Sequence, residues 1–210
     1  GSNLLIKEGE RLVFFGDSLT QRTDLKYSEL PARRYRLDYA ESYVDILMKR
    51  LLVHYPHLNL SFFNCGVGGD TVFHLLERYS KDILPLCPTR VVLWIGQNDA
   101  KQFDEQRFEQ GFRCLLQWFS GDKIPVVVLS TSAHRDLEKM SVLARVDRIL
   151  QSVCREFAVH FIDIKTPMLQ IAEHNKTAKD SIQLFTEGSH LSELGNILVA
   201  DTVFDFFESH

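Results

Sequence analysis

Five short apolar runs recur along the chain, separated by longer stretches in which apolar residues return every three or four positions. The runs are rich in Val, Ile, Leu and Phe and mostly do not alternate with polar residues. That composition is typical of strands buried on both faces of a sheet. The runs predict strands at residues 11–15, 59–63, 90–95, 125–130 and 159–164.

The stretches between the predicted strands have helical periodicity. Tyr43, Val44, Leu47 and Leu51, for example, share one face of a helix. The same spacing predicts helices within residues 72–83, 108–119, 143–157 and 192–208, and Pro167 indicates the start of a shorter helix. The regular alternation of strand and helix predicts an α/β fold with a five-stranded parallel sheet and helices on both faces.

Composition is ordinary for one globular domain covering residues 1–210, because 45% of the residues are apolar and 25% are charged. The net charge of −4 predicts no basic surface for nucleic acid. The sequence contains no transmembrane-length apolar segment and no signal-peptide pattern. The four cysteines form no CxxC pair, which favours reduced thiols and a cytoplasmic location. Neither a metal site nor a cofactor is predicted.

Polar segments that contain glycine follow three of the predicted strands. Gly-Asp-Ser-Leu follows the first strand at residues 16–19, Asn-Cys-Gly-Val-Gly-Gly-Asp-Thr follows the second at 64–71, and Gly-Gln-Asn-Asp follows the third at 96–99. Turn formation alone explains any one of these segments. The carboxyl ends of parallel strands meet at one edge of a sheet, where such folds bind ligands. The three segments together therefore predict a functional site at that edge.

The residue types in these segments suit acyl-transfer chemistry. A serine such as Ser18 needs an adjacent base to become a nucleophile, and the oxyanion that forms needs hydrogen-bond donors. The backbone N–H of Gly69 is a candidate donor because no Cβ blocks the approach to it. The side-chain amide of Asn98 and the backbone N–H of Ser18 are the other two candidates.

His190 is the best candidate for the base among the eight histidines. It lies in the polar stretch Thr-Glu-Gly-Ser-His-Leu-Ser, just before the last predicted helix. Glu187, three residues earlier, can accept a hydrogen bond from the imidazole and fix its tautomer. Taken alone, His190 is equally compatible with a helix-capping or surface role. The other seven histidines lie at helix ends, lie within periodic elements or lack a supporting pattern.

These segments together resemble the SGNH (GDSL) hydrolase family, whose marker residues match Ser18, Gly69, Asn98 and His190 in that order. The resemblance implies a flavodoxin-like three-layer α/β/α sandwich. It also implies that Ser18 is the nucleophile, that His190 is the general base, and that Ser18, Gly69 and Asn98 form the oxyanion hole. It covers residues 11–207, which is nearly the whole chain.

One position departs from the family pattern. The family usually has aspartate three residues before the histidine, where this chain has Glu187. Glutamate accepts the same hydrogen bond with one more methylene group, so Glu187 is expected to complete the triad from a loop set slightly further back. The alternative is a backbone carbonyl that orients His190. Residues 66–71, with His74, Leu75 and Arg78, resemble the branch that contains the platelet-activating-factor acetylhydrolase catalytic subunits and small bacterial esterases.

Other enzyme classes fit the motifs less well. Thr71 stands where a dinucleotide-binding G-x-G-x-x-G motif needs its last glycine, and no G-x-S-x-G elbow is present. Leu19 stands where a haloacid-dehalogenase-type phosphatase needs its second aspartate, and no HExxH motif indicates zinc.

The expected function is therefore a serine ester hydrolase acting through an acyl-enzyme on a short-chain acyl or acetyl ester of a lipid or an O-acetylated carbohydrate. The alternatives are an acyltransferase or a carbohydrate- or lipid-binding module that has lost catalysis. The irregular stretches at residues 20–39, 131–138 and 176–191 are expected to line the site.

Overall fold

Five parallel strands form the central sheet of the computed structural model, which describes residues 3–21 and 42–210. Along the sheet their order is β2-β1-β3-β4-β5, the flavodoxin-like arrangement. All five strands predicted from the sequence are confirmed. Their bounds are β1 Arg11–Gly16, β2 Ser61–Gly66, β3 Arg90–Trp94, β4 Val126–Leu129 and β5 His160–Ile162.

Helices cover both faces of this sheet. A two-stranded antiparallel hairpin, β6 Phe185–Glu187 with β7 His190–Leu191, precedes the last helix. None of the helices in the described ranges is long and apolar enough to cross a membrane. The helices are α1 Tyr43–His54, α2 Val72–Arg78, α3 Glu105–Gly121, α4 Leu137–Glu156, α5 Lys165–Asn175 and α6 Glu193–Ser209.

Each strand contributes alternate side chains to two separate hydrophobic cores, which explains why the apolar runs are continuous. Leu12 and Phe14 of β1 join the core formed with α1, α5 and α6. Val13 and Phe15 join the core formed with α2, α3 and α4. The three-layer α/β/α sandwich implied by the family resemblance is thereby confirmed.

Several predicted bounds differ from the structure by a few residues, and two of the differences concern the elements that lead into the site. The second strand was expected at residues 59–63 but spans Ser61–Gly66. Asn59 has a left-handed backbone with a φ of 51°, which cannot continue into a strand, and Gly66 still pairs with Gly16 of β1. The helix expected over 72–83 is α-helical only to Arg78 and continues as a π-helical turn over Tyr79–Ile83.

The stretch at 176–191, expected to be irregular, contains the β6–β7 hairpin. Strands of three and two residues are too short to produce a recognisable apolar periodicity. Of the stretch at 20–39, the positions from residue 22 onward lie outside the described residues, so its expected part in the site stays a prediction.

The core formed with α2, α3 and α4 should contribute strongly to the free energy of unfolding. Leu115→Ala removes a side chain that is 0% exposed, and we expect it to lower that free energy by about 2–5 kcal/mol through lost burial and the cavity left behind. Leu137→Ala is the same substitution at a position that is 84% exposed. It should change the free energy by less than about 0.5 kcal/mol. Equal losses in urea denaturation would contradict this description of the core.

Candidate active site

A tight turn at the end of β1 holds Ser18 at the carboxyl edge of the sheet. The backbone N–H groups of Thr20 and Gln21 donate to the carbonyl of Asp17 at 3.1 and 2.9 Å. The Leu19 N–H donates to Asp17 Oδ1 at 2.9 Å. The aspartate thus closes the turn with both its backbone and its side chain, and it is buried while Ser18 is half-buried.

The loop after β2 packs directly onto this turn. A Cβ on Gly66 would lie 2.3 Å from the backbone nitrogen of Gln21, so no larger residue fits there without a shift of backbone. Asn64 Nδ2 donates to the Thr20 carbonyl at 2.8 Å, and the Gly68 N–H donates to Gln21 Oε1 at 2.6 Å. These contacts fix the second loop relative to the turn that carries Ser18.

Three candidate oxyanion donors lie in these loops and in the loop after β3. Gly69 has a φ of +83°, a backbone conformation that favours glycine. Asn98 Nδ2 donates to the Asp70 carbonyl at 3.1 Å and lies 3.4 Å from Asp17 Oδ2. Within residues 3–21 and 42–210, the backbone N–H groups of Ser18 and Gly69 have no acceptor. Both are therefore available to a ligand.

His190 reaches the same place from the far end of the chain. Its Nε2 lies 3.3 Å from Ser18 Oγ, although 172 positions separate the two residues. With the proton on Nδ1, Nε2 can accept a hydrogen bond from the serine hydroxyl. The hairpin that carries His190 is held by Ser192 N–H donating to the Leu184 carbonyl at 2.8 Å and by Arg135 Nη2 donating to the Phe185 carbonyl at 2.9 Å.

Glu187 ends β6, and its backbone is opposite His190 in the hairpin register. Its side chain lies outside the part of the structure that is described. The expected hydrogen bond between Glu187 and the imidazole therefore stays a prediction.

Two buried carboxyl groups, those of Asp17 and Asp99, lie in this region, and that of Asp17 contacts the amide of Asn98. Burial raises the pKa of Asp17 to about 7, opposed by the Leu19 N–H and assisted by the charges of Asp99 and Asp70. Burial also raises the pKa of Asp99 to about 6, opposed chiefly by the Val72 N–H, which lies 3.2 Å from both carboxylate oxygens. Near neutral pH these two groups thus carry less negative charge than exposed carboxylates would.

Sequence patterns alone identified neither Asp17 nor Asp99 as part of this environment. Both residues follow glycine-bearing strand ends, but nothing in their spacing shows that they are buried or that Asp17 contacts the Asn98 amide. Asp17 proves to hold the turn and to approach Asn98 as well. Arg78, noted only as a motif residue, binds Asp70 at 2.8 Å.

Two grooves flank the Asn98 turn. One, of about 510 Å³, lies between this turn and the α2–α3 side, and its lining includes Thr71, His74, Asn98, Lys101 and Arg107. The other, of about 420 Å³, lies on the side of the His190 loop, and its lining includes Gln97, Lys101, His134, Lys139 and Ser189. Polar side chains are prominent in the first groove, whereas the lining of the second also includes Ala100, Val142 and Leu143.

Comparison with known proteins gives one family match and two partial relatives. A model of the GDSL-like lipase/acylhydrolase family matches residues 14–196. An acetylxylan esterase of Geobacillus stearothermophilus is 32% identical over 100 residues, which are 47% of this chain and 44% of that protein. The uncharacterized lipoprotein YqeF of Bacillus subtilis (strain 168) is 30% identical over 113 residues, 52% of this chain and 42% of that protein. The matches thus span less than half the length of either relative.

Solved structures share the fold over almost the whole chain. A catalytic mutant of Axe2, an acetylxylan esterase from Geobacillus stearothermophilus, superimposes with a TM-score of 0.83 at 19% identity, covering 99% of this chain and 98% of that one. LAE5, an alpha/beta hydrolase enzyme from the metagenome of Lake Arreo, Spain, gives a TM-score of 0.83 at 19% identity, covering 98% of each chain. Three structures of Axe2 are described as catalytic mutants, in which a serine, a histidine or an aspartate is replaced by alanine.

The buried carboxyl of Asp17 should make stability depend on pH. Because its folded-state pKa is raised from 3.8 to about 7, its stabilising contribution is complete below the unfolded pKa and is lost as pH rises through the folded pKa. Asp17→Asn stays neutral and retains an acceptor for the Leu19 N–H. From pH 5 to pH 8 we expect the free energy of unfolding of Asp17→Asn, relative to wild type, to rise by up to about 2.6 kcal/mol.

Urea denaturation at several pH values measures this difference. Asp104→Asn is the matched control, because Asp104 is an exposed N-cap of α3 and asparagine caps helices equally well. That variant should follow the wild-type pH dependence. If Asp17→Asn did the same, burial of an ionisable Asp17 would be disproved.

Proposed function

The chain belongs to the GDSL-like lipase/acylhydrolase family, and from this we propose that it is a serine ester hydrolase with Ser18 as nucleophile and His190 as general base. The observation that carries the proposal is the 3.3 Å approach of His190 Nε2 to Ser18 Oγ at the carboxyl edge of the sheet. A hydroxyl and an imidazole at that distance form the minimal unit of nucleophilic acyl transfer.

In the first half of the reaction, Ser18 Oγ attacks the ester carbonyl carbon as His190 Nε2 takes the hydroxyl proton. The carbonyl π electrons move onto oxygen and form a tetrahedral oxyanion. Collapse of that intermediate re-forms the carbonyl and breaks the bond to the alcohol oxygen, which takes the proton from the imidazolium. The acyl group is left on Ser18.

In the second half, water replaces the alcohol. His190 removes a proton from the water as its oxygen attacks the acyl carbon. Collapse of the second oxyanion then expels Ser18 Oγ, which recovers its proton from the imidazolium. The products are a carboxylic acid and the free enzyme. An acceptor alcohol in place of water would give a transferase by the same steps.

The oxyanion of both intermediates would be stabilised by the N–H groups of Ser18 and Gly69 and by Asn98 Nδ2. Support comes from the free N–H groups of Ser18 and Gly69 within the described residues and from the anchoring of one N–H of Asn98 Nδ2 on the Asp70 carbonyl. The other N–H of Nδ2, whose contact with Asp17 Oδ2 is long at 3.4 Å, would turn to the oxyanion. The raised pKa of Asp17 also suits this role, because a fully charged carboxylate beside Asn98 would oppose negative charge on the substrate oxygen.

Glu187 is assigned the third role, accepting a hydrogen bond from Nδ1–H of His190. The pairing of Glu187 and His190 in the hairpin supports the assignment. The catalytic mutants of Axe2 support it too, because they include replacements of an aspartate as well as of a serine and a histidine. In this chain glutamate would serve where that enzyme uses aspartate.

We assign acetyl esters of saccharides as the substrate class. The name of the acetylxylan esterase relative supports this choice. The groove between the Asn98 turn and α2–α3 supports it as well, because Thr71, His74 and Arg107 in its lining offer hydrogen-bond partners to hydroxyl groups. In the groove between the Asn98 turn and α2–α3, the Thr71 N–H donates to His74 Nδ1 at 2.9 Å. This hydrogen bond fixes the tautomer of the imidazole, so that Nε2–H can donate to a substrate hydroxyl.

Replacing the proposed nucleophile or base should nearly abolish hydrolysis. We expect Ser18→Ala or His190→Ala to lower kcat for p-nitrophenyl acetate by about 10⁴-fold or more. Asn98→Ala should lower it by about 10²- to 10³-fold, because one oxyanion donor is lost. Glu187→Gln should cost less than either Ser18→Ala or His190→Ala, since the acid only orients the base.

Labelling with a fluorophosphonate probe provides the independent check. Ser18 should be modified in the wild-type protein, and the modification should require His190. A wild-type protein that neither reacts at Ser18 nor hydrolyses esters would instead support the binding-module alternative. Activity that survives Ser18→Ala unchanged would disprove the mechanism.

The substrate class predicts a preference for short acyl groups. We expect kcat/KM to be at least about 10-fold higher for p-nitrophenyl acetate than for the octanoate, because each misfitting methylene group weakens transition-state binding. Acetylated xylo-oligosaccharides should release acetate. Ser18→Ala sets the background rate in both assays. A preference for the octanoate would overturn the assignment and favour a lipid ester.

A further inference from the structure

We propose that Arg78 is a positioning residue for this reaction, which links the turn carrying the nucleophile to the loop carrying the oxyanion donors. The inference rests on the proposed function and extends it to a residue at the end of α2. Arg78 does not touch the reacting atoms in this assignment. It acts through the backbone that holds them.

The guanidinium of Arg78 reaches two of the three strand ends directly. Its Nη2 donates to the carbonyl of Gly16 at 3.0 Å, two residues before Ser18. Its Nε donates to Asp70 Oδ2 at 2.8 Å, one residue after Gly69. The Arg78 side chain is 14% exposed and that of Asp70 is 10% exposed, so both contacts are shielded from water.

The third strand end is reached through Asp70. The carbonyl of this residue accepts the hydrogen bond from Asn98 Nδ2 at 3.1 Å. Arg78 thus connects Gly16, Asp70 and Asn98 in one chain of hydrogen bonds. Asn98 provides one of the proposed oxyanion donors, Asp70 directly follows Gly69, and Gly16 lies two residues before Ser18.

The guanidinium itself is held from two further directions. Its Cζ lies 4.7 Å from the centre of the Phe15 ring, and its Nη1 lies 3.4 Å from Asp82 Oδ2 in the π-helical turn. A planar group with several donors can make all four contacts at once. The compact ammonium of lysine cannot, because its donors radiate from one nitrogen.

Catalysis should depend on this arrangement because the oxyanion hole is assembled from separate loops. Displacement of one donor by about 1 Å costs on the order of 10²-fold in rate. Ground-state binding of the alcohol portion of the ester, in contrast, is assigned to the two grooves beside the Asn98 turn, and Arg78 lines neither of them. Loss of the guanidinium should therefore act on kcat and leave KM nearly unchanged.

The test compares Arg78→Lys and Arg78→Ala with the same two substitutions at Arg90. The control is closely matched, since the Arg90 side chain is 13% exposed and its Nε lies 3.1 Å from Glu10, whose side chain is 9% exposed. Arg90 begins β3, at the opposite edge of the sheet from the site. Any general loss of stability from removing a largely buried arginine–carboxylate pair therefore appears in both sets of variants.

We expect Arg78→Lys to lower kcat by about 10- to 100-fold, with KM within about 3-fold of wild type. Arg90→Lys should retain near wild-type kcat even where its melting temperature falls equally. Added methylguanidine, at tens of millimolar, should raise kcat of Arg78→Ala but not of Arg90→Ala, because it can refill the vacated position.

Three results would overturn the proposal. The first is a wild-type kcat in Arg78→Lys while hydrolysis still depends on Ser18. That result would overturn only the role of Arg78 and would leave the proposed function intact. The second is a kcat that falls only in proportion to the folded fraction, equally at positions 78 and 90. The third is a rise in KM with kcat unchanged. A wild-type protein without Ser18-dependent hydrolysis would overturn the proposed function and this inference together.

Discussion

Parallel pairing of β1 with β2 on one side and β3 on the other is the constraint on which the site depends. The register places Gly16 opposite both Gly66 and Trp94, so the three chains leave the sheet at the same level. Their next residues must then share a small volume at the edge. Gly66 permits the close approach of backbone there, and the Asp17 turn directs Ser18 out of the sheet.

Such crowding brings polar groups out of water, and the structure satisfies most of them locally. Asn64 bonds the Thr20 carbonyl, the Val72 N–H bonds Asp99, and the guanidinium of Arg78 bonds Asp70. Each bond restrains one loop against another. The same contacts therefore solve a desolvation problem and supply the preorganisation that electrostatic catalysis requires.

The sequence predicted the parts of this molecule that depend on periodicity or on short motifs. The five strands follow from their apolar runs and are confirmed. Motifs after strands or before a helix indicate Ser18, Gly69, Asn98 and His190, whose catalytic roles stay predictions. Less accessible were features created by long-range packing. The burial of Asp17 and the contact of Arg78 with Gly16 depend on segments that are distant in the chain. The hairpin around His190 is local, but its strands are too short to show a periodic pattern. The strand β2 begins later than predicted because Asn59 has a left-handed backbone, a single-residue feature that no periodic pattern reveals.

The two proposed catalytic side chains are carried by elements of unequal local stability. Ser18 follows a strand in the middle of the sheet, whereas His190 lies in a two-stranded hairpin outside it. A peripheral hairpin opens by local unfolding at a lower free energy than a central strand does. Hydrogen exchange of the hairpin amides should consequently be faster than that of β1. Heat or mild denaturant would then disconnect the base from the nucleophile while both hydrophobic cores remain folded, and inactivation would precede global unfolding.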